Sequence, residues 1–228
     1  MCIRDRYICL LGISFLFLIF LGCKKEIPPQ SYLALGDSYT IGESVSKFER
    51  WPDQLVASLA KENIFLKSPE IIAKTGWTTD ELQEGINLAP LNYPYDWVSL
   101  LIGVNDQYRG KSIEEFESEF YNLLSQAIVF SGNRKERVFV LSIPDWGAMP
   151  YAIDKDVQKI AAEIDAFNQV IYQLCAQENV RFIDITPLSR KVSDYPNWIA
   201  KDRLQPSGAQ YSKWVLEILP FFLNTKND

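Results

Sequence analysis

Tyr32-Leu33-Ala34-Leu35-Gly36-Asp37-Ser38-Tyr39 decides the fold: an apolar run stops at a glycine and passes into polar residues that carry a serine. A short continuous apolar run bounded by turn residues reads as a strand buried on both faces. A serine just beyond such a strand reads as an activated nucleophile. Taken alone, Gly36-Asp37-Ser38 fits a strand-to-helix turn with a capping serine equally well. The chain contains no histidine, so the commonest partner of a nucleophilic serine is missing.

Outward from that stretch, short apolar runs alternate with longer helical patterns. Strands are expected at Ser31–Gly36, Glu70–Lys74, Trp97–Gly103, Val138–Ile143 and Arg181–Ile185, the second being the weakest. Val98-Ser99-Leu100-Leu101-Ile102 and Val138-Phe139-Val140-Leu141 are continuous rather than alternating, as in strands covered on both faces. Pro52 opens a helix to about Lys61, proline being favoured in a first helical turn. Thr78-Thr79-Asp80-Glu81 and Ser112-Ile113-Glu114-Glu115 both fit the capping box. After the second, Phe116, Phe120, Leu123, Leu124 and Ala127 form one apolar stripe. Ile160, Ile164, Phe167, Ile171 and Leu174 repeat the pattern between Asp154 and about Asn179. A last helix is expected from about Ser207 towards Phe222, with Pro220 ending or kinking it. Alternation of this kind predicts a three-layer α/β/α fold: a doubly wound, flavodoxin-like parallel sheet of five strands. Such sheets bind ligands beyond the carboxyl ends of their strands. Ser38, Gly76, Asn105 and Asp145 all fall there, and are expected to converge.

The first residues stand apart. Arg4 and Arg6 precede an apolar run from Tyr7 to Gly22, which reads as the n- and h-regions of a signal peptide over 1–22. Phe20-Leu21-Gly22-Cys23 resembles a bacterial lipobox, so Cys23 is expected to be lipidated and to anchor the protein to a membrane. Residues 23–30 then form a tether, and 31–228 a single domain. The expected location is that of an exported bacterial lipoprotein, periplasmic or on the outer membrane or cell surface. Residues 1–22 carry Arg4, Asp5 and Arg6, so the remainder has a net charge of −7 against −6 for the whole chain. An acidic chain without a basic block argues against a nucleic-acid partner. Only Cys175 lies beyond the leader and tether, which excludes a disulfide within the domain. Without histidine or a cysteine cluster, neither a transition-metal site nor any cofactor is expected.

Four blocks together resemble the SGNH hydrolase family, also called the GDSL esterases and lipases. Gly36-Asp37-Ser38 resembles its nucleophile block, with Tyr39 where the name-giving leucine stands. Thr75-Gly76 resembles the block that supplies a glycine amide, and Gly103-Val104-Asn105-Asp106 fits Gly-x-Asn-Asp. Asp202-Arg203-Leu204-Gln205-Pro206-Ser207 resembles Asp-x-x-His-Pro-Ser, with glutamine in the histidine position. The resemblance implies that Ser38 attacks an acyl carbon of a lipid, glycan or small-molecule ester. It implies an oxyanion hole made by the Ser38 and Gly76 amides and the Asn105 side chain. It implies that Asp202 orients the residue at 205. Trp77, Tyr108 and Trp146 follow three of the motif strands and, with Asp37, are candidates for a substrate pocket, although aromatics there also serve as ordinary packing.

Glutamine at 205 is the departure that matters. Its amide offers one acceptor and a two-hydrogen donor, so it can donate to Asp202 and accept from Ser38 as a neutral imidazole would. It does not take up a proton near neutral pH. Three readings follow: an ester hydrolase whose position 205 is a single-base variant or error, a surface lipoprotein that binds an acylated lipid or glycan without cleaving it, and an enzyme with a substitute base.

Overall fold

A computed structural model describes residues 28–225. The signal segment and Cys23 lie outside the described residues. Five strands form one sheet: β1 (Tyr32–Gly36), β2 (Glu70–Ala73), β3 (Trp97–Leu101), β4 (Val138–Leu141) and β5 (Arg181–Ile183). All pairings are parallel and the order is β2-β1-β3-β4-β5. Every residue of β1, β3 and β4 is buried, as their unbroken apolar runs require. Each strand ends one or two residues short of the expected run, apart from β1, which starts one residue late. β2 is at a sheet edge and part-exposed, so little apolar patterning marked it.

Helices cover both sides. Those of ten residues or more are α2 (Trp51–Lys61), α3 (Thr79–Leu88), α5 (Ile113–Phe130), α6 (Val157–Glu178) and α8 (Gly208–Thr225). α2 packs with α8, and α5 touches both α3 and α6. The stripe Phe116, Phe120, Leu123, Leu124 and Ala127 is fully buried, with the Phe116 ring against Phe167 of α6 at 4.5 Å. At the start of α3 the Thr78 amide donates to Glu81 Oε2 at 3.0 Å. At the start of α5 the Ser112 hydroxyl accepts from Glu115 N at 3.2 Å. α8 runs through Pro220 to Thr225, past the end expected from the sequence. Proline withholds a donor from the carbonyl four residues earlier. That residue, Leu216, is 56% exposed, so its carbonyl lies on the solvent side where water can serve it.

Short helices follow three strands: α1 (Ser38–Ile41), α4 (Val104–Tyr108) and α7 (Thr186–Ser189). The order of strands reverses between β1 and β3, the crevice where doubly wound sheets hold ligands. Ser38 directly follows the turn after β1, and Asn105 opens the turn after β3. Gly103 makes that second turn possible. Its φ is +125°, and a Cβ there would stand 2.8 Å from both Ile143 Cδ1 and the Phe116 ring. Gly103→Ala is therefore expected to lower unfolding free energy by about 2–3 kcal/mol, measured by chemical denaturation.

Candidate active site

Ser38 begins α1 and is 5% exposed. Asp37 caps the helix, its Oδ1 accepting from Tyr39 N at 3.0 Å. Its other oxygen is buried with no protein partner. Burial pushes the Asp37 carboxyl up to about 8, the Tyr39 amide opposing and Asp106 adding to the rise.

Gln205 arrives from the far side on a narrow loop. Ala200 N donates to Gln205 O at 2.8 Å, and Ser207 N to Trp198 O at 2.7 Å, so the two arms pair. Arg203 sits at the apex with φ +68°. Asp202 Oδ1 accepts from the backbone N–H of Leu204 at 2.9 Å and of Gln205 at 2.8 Å, while Oδ2 accepts from Ser44 Oγ. Tyr151 N donates to Arg203 O at 3.0 Å and ties the loop to the segment after β4.

Gln205 Nε2 donates to Ser38 Oγ at 3.2 Å. The expected polarity is reversed: the amide gives a hydrogen to the serine instead of accepting one, and Oε1 is buried without a protein partner. Asp202 makes no hydrogen bond to the Gln205 side chain, because turn amides and Ser44 occupy its oxygens. The expected donation from Gln205 to Asp202 is not made.

Asn105 Nδ2 donates one hydrogen to Trp77 O at 2.9 Å, which fixes the amide and leaves its second hydrogen. Arg109 Nη2 donates to Gly76 O at 2.6 Å. The chain at Gly76 is thereby held against α4. Gly76 has φ +83°, and a Cβ there would meet only Arg109 Nη2 at 3.8 Å. The glycine is needed there for its backbone conformation.

Behind the site the start of α3 is tied to α4. Asp106, fully buried, accepts from Thr79 N at 3.2 and 3.1 Å and from Thr79 Oγ1 at 2.6 Å. The carboxylates of Asp80, Asp106 and Glu119 gather within 4.8 Å of one another. Lys111 Nζ sits among them at 2.8, 3.1 and 2.6 Å. These bonds hold the Lys111 ammonium above its ordinary range against the opposing effect of burial.

Ser38, Asn105 and Gln205 line one pocket of about 180 Å³ with Tyr39, Val104, Tyr108, Trp146, Tyr151 and Leu204. Of the expected pocket residues, Tyr108 and Trp146 are present, with rings 5.3 Å apart and edge-on. Trp77 is not: its ring lies on Gly85 of α3, where a Cβ would stand 2.2 Å from Cη2. Asp37 is buried and does not line the pocket. Tyr39, Val104, Tyr151 and Leu204 also line it and were not expected from the sequence as pocket residues. Of these, Tyr39, Val104 and Leu204 each adjoin a motif residue, which was the available signal. Among the described residues larger hollows lie elsewhere; one of about 490 Å³ borders β5 and Phe221 and holds none of the motif residues.

The GDSL-like lipase/acylhydrolase family matches residues 34–213. The chain belongs to that family. Among solved structures it is similar to TesA, at 18% identity and TM-score 0.66, covering 84% of this chain and 97% of that one. It is similar to the psychrotrophic esterase EstA from Pseudoalteromonas sp. (14%, TM-score 0.66, 87% and 100% covered). It is also similar to an acetyl xylan esterase from Geobacillus stearothermophilus (19%, TM-score 0.64, 84% and 94% covered). At these identities the likeness shows the fold. No curated protein matches the chain.

The raised Asp37 carboxyl makes stability pH-dependent. The folded state binds a proton between pH about 4 and about 8 that the unfolded state releases, so this group's contribution is full below that window and is lost as pH rises through it. Asp37→Asn keeps an oxygen for the Tyr39 amide and removes the titration. Its thermal midpoint is expected to gain on the native chain between pH 5 and pH 9, read by calorimetry at each pH.

Proposed function

We propose that this chain is a carboxylic ester hydrolase of the serine type, with Ser38 as nucleophile and turnover held down by Gln205. The observation that carries this reading is the meeting of Ser38, Asn105 and position 205 on one pocket at the switch point of the sheet. Ser38 Oγ attacks the acyl carbon. The Ser38 and Gly76 amides and the free Asn105 hydrogen take the developing oxyanion, each such donor being worth roughly 3 kcal/mol in comparable enzymes. The weak step is removal of the Ser38 proton, because an amide is not a base at neutral pH and here it donates to the serine. The substrate is an ester of a lipid, a glycan or a small molecule, and Cys23, lipidated, holds the enzyme at a membrane outside the cytoplasm.

A second reading is a lipoprotein that binds an acylated ligand without cleaving it. It draws on the same hydrogen bond, since a serine that accepts from its neighbour is not being activated by it.

Two experiments test the proposal. Gln205→His is expected to hydrolyse a short-chain aryl ester at least ~10³-fold faster than the native chain, since loss of the histidine in a comparable triad costs about 10⁶. The gain should rise with pH through the imidazole range and vanish on adding Ser38→Ala. Equal, substantial rates in both chains would assign the proton to another base. For the anchor, mass spectrometry of the protein from its native membrane should find an acylated Cys23 as the first residue; an intact leader would refute processing there.

A further inference from the structure

We infer that the pocket at Ser38, as this chain builds it, is a receptor for a small apolar carboxylic acid in its ionised form, taken up from solution. The inference rests on the placement of the site proposed above, but concerns what stays bound there and not what is cleaved.

The polarity of the Gln205 amide sets the chemistry of the pocket. An unprotonated imidazole would offer Ser38 an acceptor. Gln205 instead offers Nε2, at 3.2 Å from Ser38 Oγ, and keeps Oε1 buried. With one lone pair of Oγ engaged, the serine hydroxyl has its own hydrogen to give. Asn105 has one amide hydrogen on the Trp77 carbonyl and one remaining. Gln205 Nε2 likewise keeps a second hydrogen, so three neutral side chains that line one pocket can each donate. A carboxylate is the complementary group: two oxygens, about four lone-pair sites and no hydrogen. Its bonds to such donors are roughly twice as strong as those of a neutral oxygen. An alcohol of the same shape brings a hydrogen that Gln205 Nε2 cannot accept.

Charge does not oppose this. Asp37 lies next to Ser38 in the chain, but burial raises its carboxyl to about 8, which leaves it neutral where small carboxylic acids are ionised. Asp202 is taken up by Ser44 and by the Leu204 and Gln205 amides. Asp106 is held by Thr79 and Lys111, and Asp145 by Arg190 Nε at 2.8 Å and the Gly147 amide at 2.9 Å.

The size of the pocket sets the rest of the ligand. A cavity of about 150 Å³ is known to hold benzene. About 180 Å³, walled by Val104, Leu204, Tyr108, Trp146 and Tyr151, therefore suits an aryl acid or a short alkyl acid and leaves a long acyl chain outside. The wall is braced. Trp146 Nε1 donates to Gln107 Oε1 at 2.7 Å, and Gln107 Nε2 to Glu163 Oε2 at 2.7 Å.

The test is titration of the full chain with benzoate near pH 6.5, by calorimetry, with benzyl alcohol as the neutral isostere. Saturable one-site binding of benzoate is expected, with the alcohol at least ~10-fold weaker, the size of one lost hydrogen bond to a charged group. Gln205→Glu, which places a like charge beside the ligand, should weaken benzoate by ~10–100-fold, and Gln205→Met, which removes the donor without adding charge, by ~10-fold. Circular dichroism establishes that each variant is folded. No saturable binding by the native chain, equal binding of the alcohol, or binding unchanged in a folded Gln205→Met overturns the inference. Hydrolysis by Gln205→His without benzoate binding by the native chain overturns this inference and leaves the hydrolase reading standing. Benzoate binding with no hydrolysis by Gln205→His does the reverse.

Discussion

The site depends on the hydrogen bonds and ion pair of one carboxylate, that of Asp106. A fully buried charge costs several kcal/mol unless it is paired and hydrogen-bonded. Here the compensating groups are the Thr79 amide and hydroxyl at the start of α3, and the Lys111 ammonium beyond α4. The charge can be satisfied only when those two parts of the chain are in register. That register in turn sets the finer contacts: Asn105 on the Trp77 carbonyl, and Arg109 on the Gly76 carbonyl. Asn105 and the chain at Gly76 are therefore held by contacts built behind the pocket. Lys111 fills the space among three carboxylates that could otherwise take a cation, so the clamp carries its own counter-charge.

Much of this was legible in the sequence because burial writes itself as composition. β1, β3 and β4 are covered on both faces and read as unbroken apolar runs. The stripe on α5 reads at helical spacing because one face meets the core. Ser38 and Asn105 were legible together because parallel strands deliver their following residues to one edge, whereas Gln205, just before α8, was joined to them by the resemblance of its block. What was not legible depends on side-chain direction. Trp77 follows a motif strand as Tyr108 does, yet one ring lies on Gly85 and the other beside Trp146. Tyr151 belongs to the pocket only because its amide is tied to the Arg203 carbonyl, a contact between segments fifty residues apart. The passage of α8 through Pro220 depends on which way Leu216 faces, and a proline rule carries no such information.

The glutamine at position 205 and the contacts of Asp202 fit one another. In the arrangement that the family motif implies, an aspartate holds a histidine in one tautomer, and its carboxylate must face the imidazole. A glutamine has no tautomer to hold. Nothing then requires Asp202 to face position 205, and its oxygens go where the local backbone needs them. They close the turn at Leu204 and Gln205 and engage Ser44, which itself takes φ +66°. Gln205 is thus a donor to the serine, and Asp202 a brace for the loop that carries it. The brace keeps position 205 within reach of Ser38 even without the contact that would have oriented a base. A histidine placed at 205 would inherit that position but meet an Asp202 already engaged, so recovery of a proton acceptor and recovery of its orientation are separate events. The second requires Asp202 to leave the turn amides, and that exchange sets how far the restored site falls short of one whose aspartate already faces the imidazole.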